Sequence, residues 1–263
     1  MIGVIRSELV RLWRPRLLAG WFGLTAVFAV MINTILYSSA ESLGAGPAVG
    51  PGATFPGLEA LEQADGVVAG LSSASTLFGV ITLAFWAVSA AGDYQSGLIR
   101  LLVSAHPQRW RLLAGKVIAL AATTALATTV ALVVNVAVAG PAAEAAGVST
   151  AAWDLPASMV SAWTNAYAAL LVWGVLGLVV AVLARSSAVA ISLGIGYVLV
   201  VESIVTMALD NGSEWLLGST LSALAAGGSA AMDYSTAGGL AVAYVGVGLA
   251  VATLVFTRRD VTD

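Results

Sequence analysis

The residues that could perform chemistry are few and lie far apart along the chain. The only histidine, His106, precedes a proline, a position more typical of a turn than of a general base. The chain has no cysteine, which excludes thiolate catalysis, cysteine metal sites and disulfides. Gly115-Lys116 is followed by Val117, whereas a phosphate-binding loop needs a Mg²⁺-binding hydroxyl there. The sequence therefore predicts that the chain is not an enzyme and binds no metal or cofactor itself.

One ionisable side chain, Glu202, lies within an apolar segment. An ionised carboxylate at membrane depth is costly unless it is neutralised, paired or exposed to water. Glu202 is therefore a candidate for a substrate or ion path, and the alternative is a structural hydrogen bond to a neighbouring segment. Asn33, Asn135 and Asn165 also lie in apolar segments, where an amide is more often an interhelical hydrogen-bonding group than a ligand.

The elements that must position these residues are long apolar segments. Of the 263 residues, 59% are hydrophobic and only 10% are charged, which is too apolar for a water-soluble domain. Runs of about 20 apolar residues can cross the hydrocarbon core as helices, and the alternating pattern of barrel strands is absent from the sequence. The sequence predicts an all-α integral membrane protein with six transmembrane helices, at residues 17–37, 67–91, 112–139, 159–184, 187–208 and 237–257.

The charged residues segregate to opposite sides of these six predicted spans. All eleven basic residues fall before the first span, near the link between the second and third, between the fourth and fifth, or after the sixth. The three loops on the other side carry nine acidic residues and no lysine or arginine. Because basic loops stay in the cytoplasm, both termini are predicted to be cytoplasmic.

Three segments outside these spans have patterns of their own. Residues 1–16 are predicted to form an amphipathic elbow helix that lies on the inner leaflet, or that only anchors the topology through its arginines. The apolar face of this helix comprises Ile2, Ile5, Leu9, Leu12 and Trp13. The external segment 38–66 is rich in Gly and Pro and is predicted to be irregular. The external segment 209–236 is predicted to form short helices that re-enter the outer leaflet, or a plain surface loop.

The cytoplasmic segment of residues 93–111 also contains a helical pattern. Leu98, Leu101, Leu102 and Ala105 have the spacing of one helix face, and His106-Pro107 ends this helix. This face has no obvious partner within the chain, and such a patch normally marks an interaction site. The alternative is that it lies on the lipid surface.

The chain resembles the permease subunits of type-two ATP-binding-cassette exporters in three respects. The first is the coupling segment of that family, which combines an acidic residue, a glycine, a Leu-Leu pair, Pro followed by Arg, and Gly-Lys. Here these are Asp93, Gly97, Leu101-Leu102, Pro107, Arg109 and Gly115-Lys116. The second is the elbow helix before the first span, and the third is the ending Phe256-Thr257-Arg258-Arg259-Asp260. Asp93 stands where the family more often has Glu, and Leu98 stands where it has Thr.

The resemblance implies an assembly of two permease subunits, identical or related, with two cytoplasmic ATPase subunits that bind ATP and Mg²⁺. It implies export of a hydrophobic or amphipathic substrate across the bacterial plasma membrane. Membrane lipid is a further expected partner, and nucleic acid is not. The residues that would couple to the ATPase, with Arg100 and Arg109 at the polar rim of the contact, are Asp93, Gly97, Leu98, Arg100, Leu101, Leu102, Pro107 and Arg109.

Two other classes of protein stay open at this point. One is a six-span secondary transporter that works alone and is coupled to H⁺ or Na⁺ through Glu202. The other is a membrane anchor or signalling partner that transports nothing. Retention of an ATPase subunit by the purified chain separates the exporter from the stand-alone transporter.

Overall fold

The fold is a bundle of helices with one small hairpin. The structure is a computed structural model that describes residues 2–43, 48–50, 53–105, 108–208, 216–229 and 231–258. A 3₁₀ turn at Gly66–Val68 precedes α4, and a π-helical turn at Tyr197–Glu202 joins α9 to α10. The other elements are α1 (Ile2–Leu12), α2 (Pro15–Leu43), β1 (Ala48–Gly50), β2 (Ala53–Phe55), α3 (Leu58–Leu61), α4 (Ala69–Ser73), α5 (Ser75–Gln95), α6 (Leu98–Ala105), α7 (Arg109–Ala145), α8 (Leu155–Ala184), α9 (Ser187–Gly196), α10 (Ser203–Ala208), α11 (Leu217–Ala226) and α12 (Tyr234–Arg258).

Within the part of the chain that the structure describes, five helices are long and apolar enough to cross a membrane, namely α5, α7, α8, α12 and the Pro15–Ser39 part of α2. They overlap five of the six predicted spans. The remaining predicted span, residues 187–208, is helical throughout but is divided into α9, the π-helical turn and α10. The prediction of a helical membrane protein is therefore confirmed at the level of class, and the count of six spans stays a prediction.

Two segments differ in detail from the sequence prediction. The predicted irregular loop contains an antiparallel hairpin in which Val49 of β1 pairs with Thr54 of β2. The predicted second span is broken before α5 by the 3₁₀ turn and by α4. Side chains from neighbouring helices satisfy the carbonyl groups at this break, since Tyr37 donates to Gly66 at 2.9 Å and Asn135 donates to Val67 at 2.8 Å. Such partners allow an irregular backbone within a bundle.

Helices α5 and α8 form the centre of the bundle. In each, 61% of the most apolar stretch is buried, against 22% in α12. Each of the two helices contributes a tryptophan whose ring packs on a glycine of the other helix. The ring of Trp173 covers Gly79, and the ring of Trp86 covers Gly174. A Cβ atom would lie 2.3 Å from the Trp173 ring at Gly79 and 2.4 Å from the Trp86 ring at Gly174. We call these four residues the tryptophan–glycine clasp.

The two ends of the bundle are built from different parts of the chain. At one end the loops after α3 and after α7 pack together, with the Asp154 amide donating to Ala64 at 3.0 Å. At the other end the guanidinium of Arg185 lies 5.8 Å from the centre of the Tyr94 ring, and Arg109 donates to the Thr257 carbonyl at 3.5 Å. We call this second end, which also holds α1 and α6, the basic end.

Helix α12 begins at a side-chain cap. The carboxylate of Asp233 accepts hydrogen bonds from the Ser235 hydroxyl, from the Thr236 hydroxyl at 2.6 Å and from the Thr236 amide at 3.1 Å. These donors favour the ionised carboxylate and lower the pKa of Asp233 to about 2. The cap satisfies a backbone donor in the first turn of α12, which explains why the helix starts at Tyr234.

Candidate functional site

The candidate site at the basic end is built on the docking of α1 against the first turns of α7. Val4, Glu8 and Leu12 are buried, and their spacing places them on one face of α1. Gly115 of α7 allows the close approach, because a Cβ there would lie 2.6 Å from Cγ1 of Val4. The opposite side of α1 keeps Ile2 exposed. Of the predicted apolar face, Leu12 is buried against the protein, whereas Leu9 and Trp13 are exposed, so the buried face only partly coincides with the predicted one.

Four charged side chains form a buried ionic cluster where α1, α5 and α7 meet. Nζ of Lys116 lies 2.8 Å from Oε2 of Glu8 and 2.8 Å from Oδ2 of Asp93. Arg11 pairs with the same two carboxylates. Two positive charges thus balance two negative charges, so neither carboxylate is buried without a counter-charge. We refer to these four residues as the ionic cluster.

Helix α6 follows directly from the end of α5 that the ionic cluster holds. The chain leaves α5 through Gly97, whose φ of +68° lies in the left-handed region that favours glycine. Ile99 is buried and Leu102 is half-buried against the core, whereas 68% of Leu101 is exposed. The predicted interaction face is therefore divided, with Leu102 packed inward and Leu101 presented outward.

The remaining predicted coupling residues lie around α6. Leu98 is half-buried and Arg100 is exposed. The contact of Arg109 with the last turn of α12 places a cation at the negative end of that helix dipole. Pro107, with His106, lies outside the described residues.

A narrow cleft of about 20 Å³ lies between the ionic cluster and α6. Glu8, Asp93 and Lys116 form its polar side, and Ile99, Leu102 and Phe256 are among its apolar lining residues. The buried side of α6, the ionic cluster and the end of α12 therefore border one shared space.

Glu202 lies far from the ionic cluster, next to α11. It is the last residue of the π-helical turn, only 9% exposed, and it accepts a hydrogen bond from the Gly218 amide of α11. Helix α11 packs beside the start of α5, where Ser222 contacts the Thr76 hydroxyl at 2.9 Å. Since Asp93 lies near the other end of α5, the length of that helix separates the two sites by roughly 25 Å.

The two partners that complete these sites, Glu8 and Tyr197, were not singled out by the sequence. The sequence does contain a signal for Glu8. It lies between Val4 and Leu12 on the same helix face, and it is the only acidic residue among the basic residues of segment 1–16. The sequence contains no such signal for Tyr197, since its position beside Glu202 depends on the π-helical turn.

The fold and the five long apolar helices among the described residues define the class, an α-helical multi-pass membrane protein. The model of a family described as a protein of unknown function (DUF2705) matches residues 25–262, and the chain belongs to this family. The match runs from α2 to beyond α12 and leaves α1 outside. No curated protein matches the chain.

Proposed function

We propose that this chain is the permease subunit of an ATP-binding-cassette exporter in a bacterial plasma membrane. It would span the membrane six times, with both termini in the cytoplasm and the basic end facing the cytoplasm. A second permease, a copy of this chain or a related one, would complete the translocation path. The energy would come from ATP and Mg²⁺ bound by a separate ATPase subunit, and the cargo would be hydrophobic or amphipathic.

The observation that carries this proposal is the presentation of α6. An eight-residue helix at the basic end holds Leu101 outward while Ile99 fixes its other side to the core. An exposed leucine on a short amphipathic helix is suited to a groove on a partner protein. Arg100 is exposed on the same helix and fits the polar rim of such a contact.

The ionic cluster supports the same proposal, because its charge pairs connect α1, α5 and α7 next to α6. Asp93 lies four residues before the Gly97 turn, and Lys116 lies in the helix that follows α6. Glu8 and Arg11 join α1 to both. A displacement of α6 by ATPase closure would therefore be passed to α1, α5 and α7 together, which is how a rigid element transmits a change between two states.

Affinity purification from the native host tests this proposal. We expect the tagged chain to retain an ATP-binding-cassette ATPase, identified by mass spectrometry, in about equal amount. The Leu101→Glu variant should lose most of that ATPase, because a charge at an apolar contact must be desolvated without a partner. Ser104→Glu, at an exposed position on the same helix, is the matched control and should retain it. Equal retention by Leu101→Glu, or the absence of any such ATPase from the wild-type sample, would reject the proposal.

The buried position of Glu202 favours one alternative, a secondary transporter that works alone. In that case purified chain in proteoliposomes would transport in response to a proton or sodium gradient without an ATPase, and Glu202→Gln would abolish the response. Transport that requires the ATPase excludes this alternative.

A further inference from the structure

Another cleft borders the ionic cluster, at the elbow where α1 leads into α2. It measures about 40 Å³, and its walls come from this elbow, from α5 and from the start of α7. Arg14, which lies in the link between α1 and α2, and Ser89 of α5 are among its lining residues. A single water molecule needs only about 10–15 Å³, so this space can take a polar group of several atoms. We call it the elbow cleft.

The charges that line the elbow cleft do not cancel. All four side chains of the ionic cluster lie in its wall, and their two positive and two negative charges sum to zero. Arg14 adds one more positive charge, so the wall carries a net charge of +1. The side chain of Arg14 is exposed and makes no hydrogen bond or ion pair with any residue that the structure describes. The cleft is therefore suited to a ligand with one negative charge.

Two further donors in the wall of the elbow cleft lack acceptors. Nη1 and Nη2 of Arg11 pair with Glu8 and Asp93, whereas its Nε is buried and has no partner among the described residues. The Ser89 hydroxyl likewise makes no hydrogen bond within the described part of the chain. Buried donors are normally paired, and an unpaired one is unfavourable. A ligand with several acceptor oxygens would satisfy them.

The elbow cleft continues into an exposed apolar strip on α2. Leu17 lines the cleft, and Gly20, Leu24 and Val27 follow it at the spacing of one helix face. Gly20 is exposed, and Leu24 and Val27 are 44% and 63% exposed. From Leu17 to Val27 the helix rises about 15 Å, which is half the thickness of the hydrocarbon core. The strip therefore matches an acyl chain of one leaflet.

We propose that the elbow cleft binds the phosphodiester of an anionic phospholipid, whose acyl chain lies along the strip at residues 17–27. Arg14 pairs with the phosphate, because the fork of donors on a guanidinium matches phosphate oxygens. Ser89 and Nε of Arg11 are the further donors. The single negative charge of such a lipid balances the net charge of the wall, whereas a zwitterionic headgroup adds a cation beside it. The inference goes beyond the export proposal and requires neither an ATPase nor a direction of transport.

Native mass spectrometry of the full chain in detergent tests this site. The probes are dioctanoyl-phosphatidylglycerol, which has one negative charge, dioctanoyl-phosphatidylcholine, which has a phosphodiester but no net charge, and inorganic phosphate. Arg14→Gln removes the unpaired cation, and Ser89→Leu fills the cleft without changing its charge. Arg6→Gln is the matched control, because Arg6 is an exposed residue of α1 that does not line the cleft. Size exclusion checks that each variant is folded.

We expect the unaltered chain to bind one phosphatidylglycerol about tenfold more tightly than phosphatidylcholine. Arg14→Gln and Ser89→Leu should each weaken phosphatidylglycerol binding by about tenfold, as the loss of a charge-assisted hydrogen bond or of the cleft itself would do. Arg6→Gln should stay within about twofold. Unchanged binding in either test variant overturns the proposal. An equal loss in Arg6→Gln also overturns it, because the attraction would then be spread over the basic surface. Inorganic phosphate that binds as tightly as the lipid would assign the cleft to free phosphate and overturn the lipid.

Discussion

At the scale of single residues, the ionic cluster depends on the balance of its charges. Glu8 and Asp93 are almost fully buried, and each is paired with both Arg11 and Lys116. A buried pair replaced as a whole can cost little, whereas the loss of one partner leaves an uncompensated charge. The cluster should therefore respond far more to the removal of one charge than to the removal of an opposite pair.

Lys116→Met tests this balance. The substitution keeps an unbranched chain but leaves two carboxylates facing one arginine, so we expect a loss of about 3–5 kcal/mol in stability. Thermal unfolding in detergent, followed by fluorescence-detected size exclusion, measures it as a lower midpoint. Adding Glu8→Gln to Lys116→Met restores neutrality and should recover part of the loss. Arg6→Gln, at an exposed position on α1, is the control and should leave the midpoint unchanged. A double variant no better than Lys116→Met would contradict charge balance as the cause.

At the scale of elements, α5 and α8 show how small residues set the distance between helices in a membrane protein. Gly177 of α8 lies so close to α5 that a Cβ would stand 2.3 Å from the Leu83 carbonyl oxygen. The tryptophan–glycine clasp extends this contact and fills the interface with the two rings. Tight packing of this type replaces the hydrophobic effect as the force that holds helices together in lipid.

Gly174→Ala tests the clasp. The added methyl group would overlap the Trp86 ring, and overpacking of this kind costs about 1–3 kcal/mol. The expected result is a lower midpoint of thermal unfolding and a smaller folded fraction on size exclusion. Gly92→Ala in α5 is the matched control, because a Cβ at Gly92 would meet no neighbouring atom within 4 Å. That change should be neutral or should stabilise α5 by about 0.5–1 kcal/mol, since alanine restricts the unfolded chain. Equal behaviour of the two variants would contradict the packing argument.

At the scale of the whole molecule, the arrangement of charge predicts the orientation in the membrane. The described basic residues gather at the end that holds α1 and α6, and the loops before α4 and after α7 meet at the other end. The helical run from Ser187 to Ala208 starts next to Arg185 and leads towards α11, which lies beside the first residues of α5. This run therefore passes along the bundle in the direction that a fifth span would take.

Single cysteines at Ala145, Ser229 and Ser104 test this orientation in intact cells. Ala145→Cys and Ser229→Cys should react with a membrane-impermeant maleimide, and Ser104→Cys should react only after the cells are permeabilised. Ser229 lies between α11 and α12, so its side depends on whether residues 187–208 cross the membrane. Labelling of Ala145→Cys without Ser229→Cys would mean that this segment does not cross. Labelling of Ser104→Cys from outside would reverse the orientation.

The sequence alone determined the class of protein and the grouping of its charges. Long apolar runs must be helices in lipid because the backbone has no water to bond with, so the positions of α2, α5, α7, α8 and α12 follow from composition. The helix at Leu98–Ala105 could also be predicted, because its spacing and the His106-Pro107 pair are local signals. The sequence pattern does not show which leucine of this helix stays exposed. Only the packing of the helix against the core makes Leu101 exposed and Leu102 half-buried.

Only the tertiary structure decided which polar residues meet. Lys116 is 108 residues from Glu8, and Tyr197 is 20 residues from Leu217, so no spacing rule relates them. The π-helical turn could not be predicted from the apolar run of residues 187–208 either. The hydrogen bonds that accompany it are made with α11, which is distant in the sequence. Local patterns decide how a helix begins and which faces are apolar, but the partner of a buried charge is set by which helices pack together.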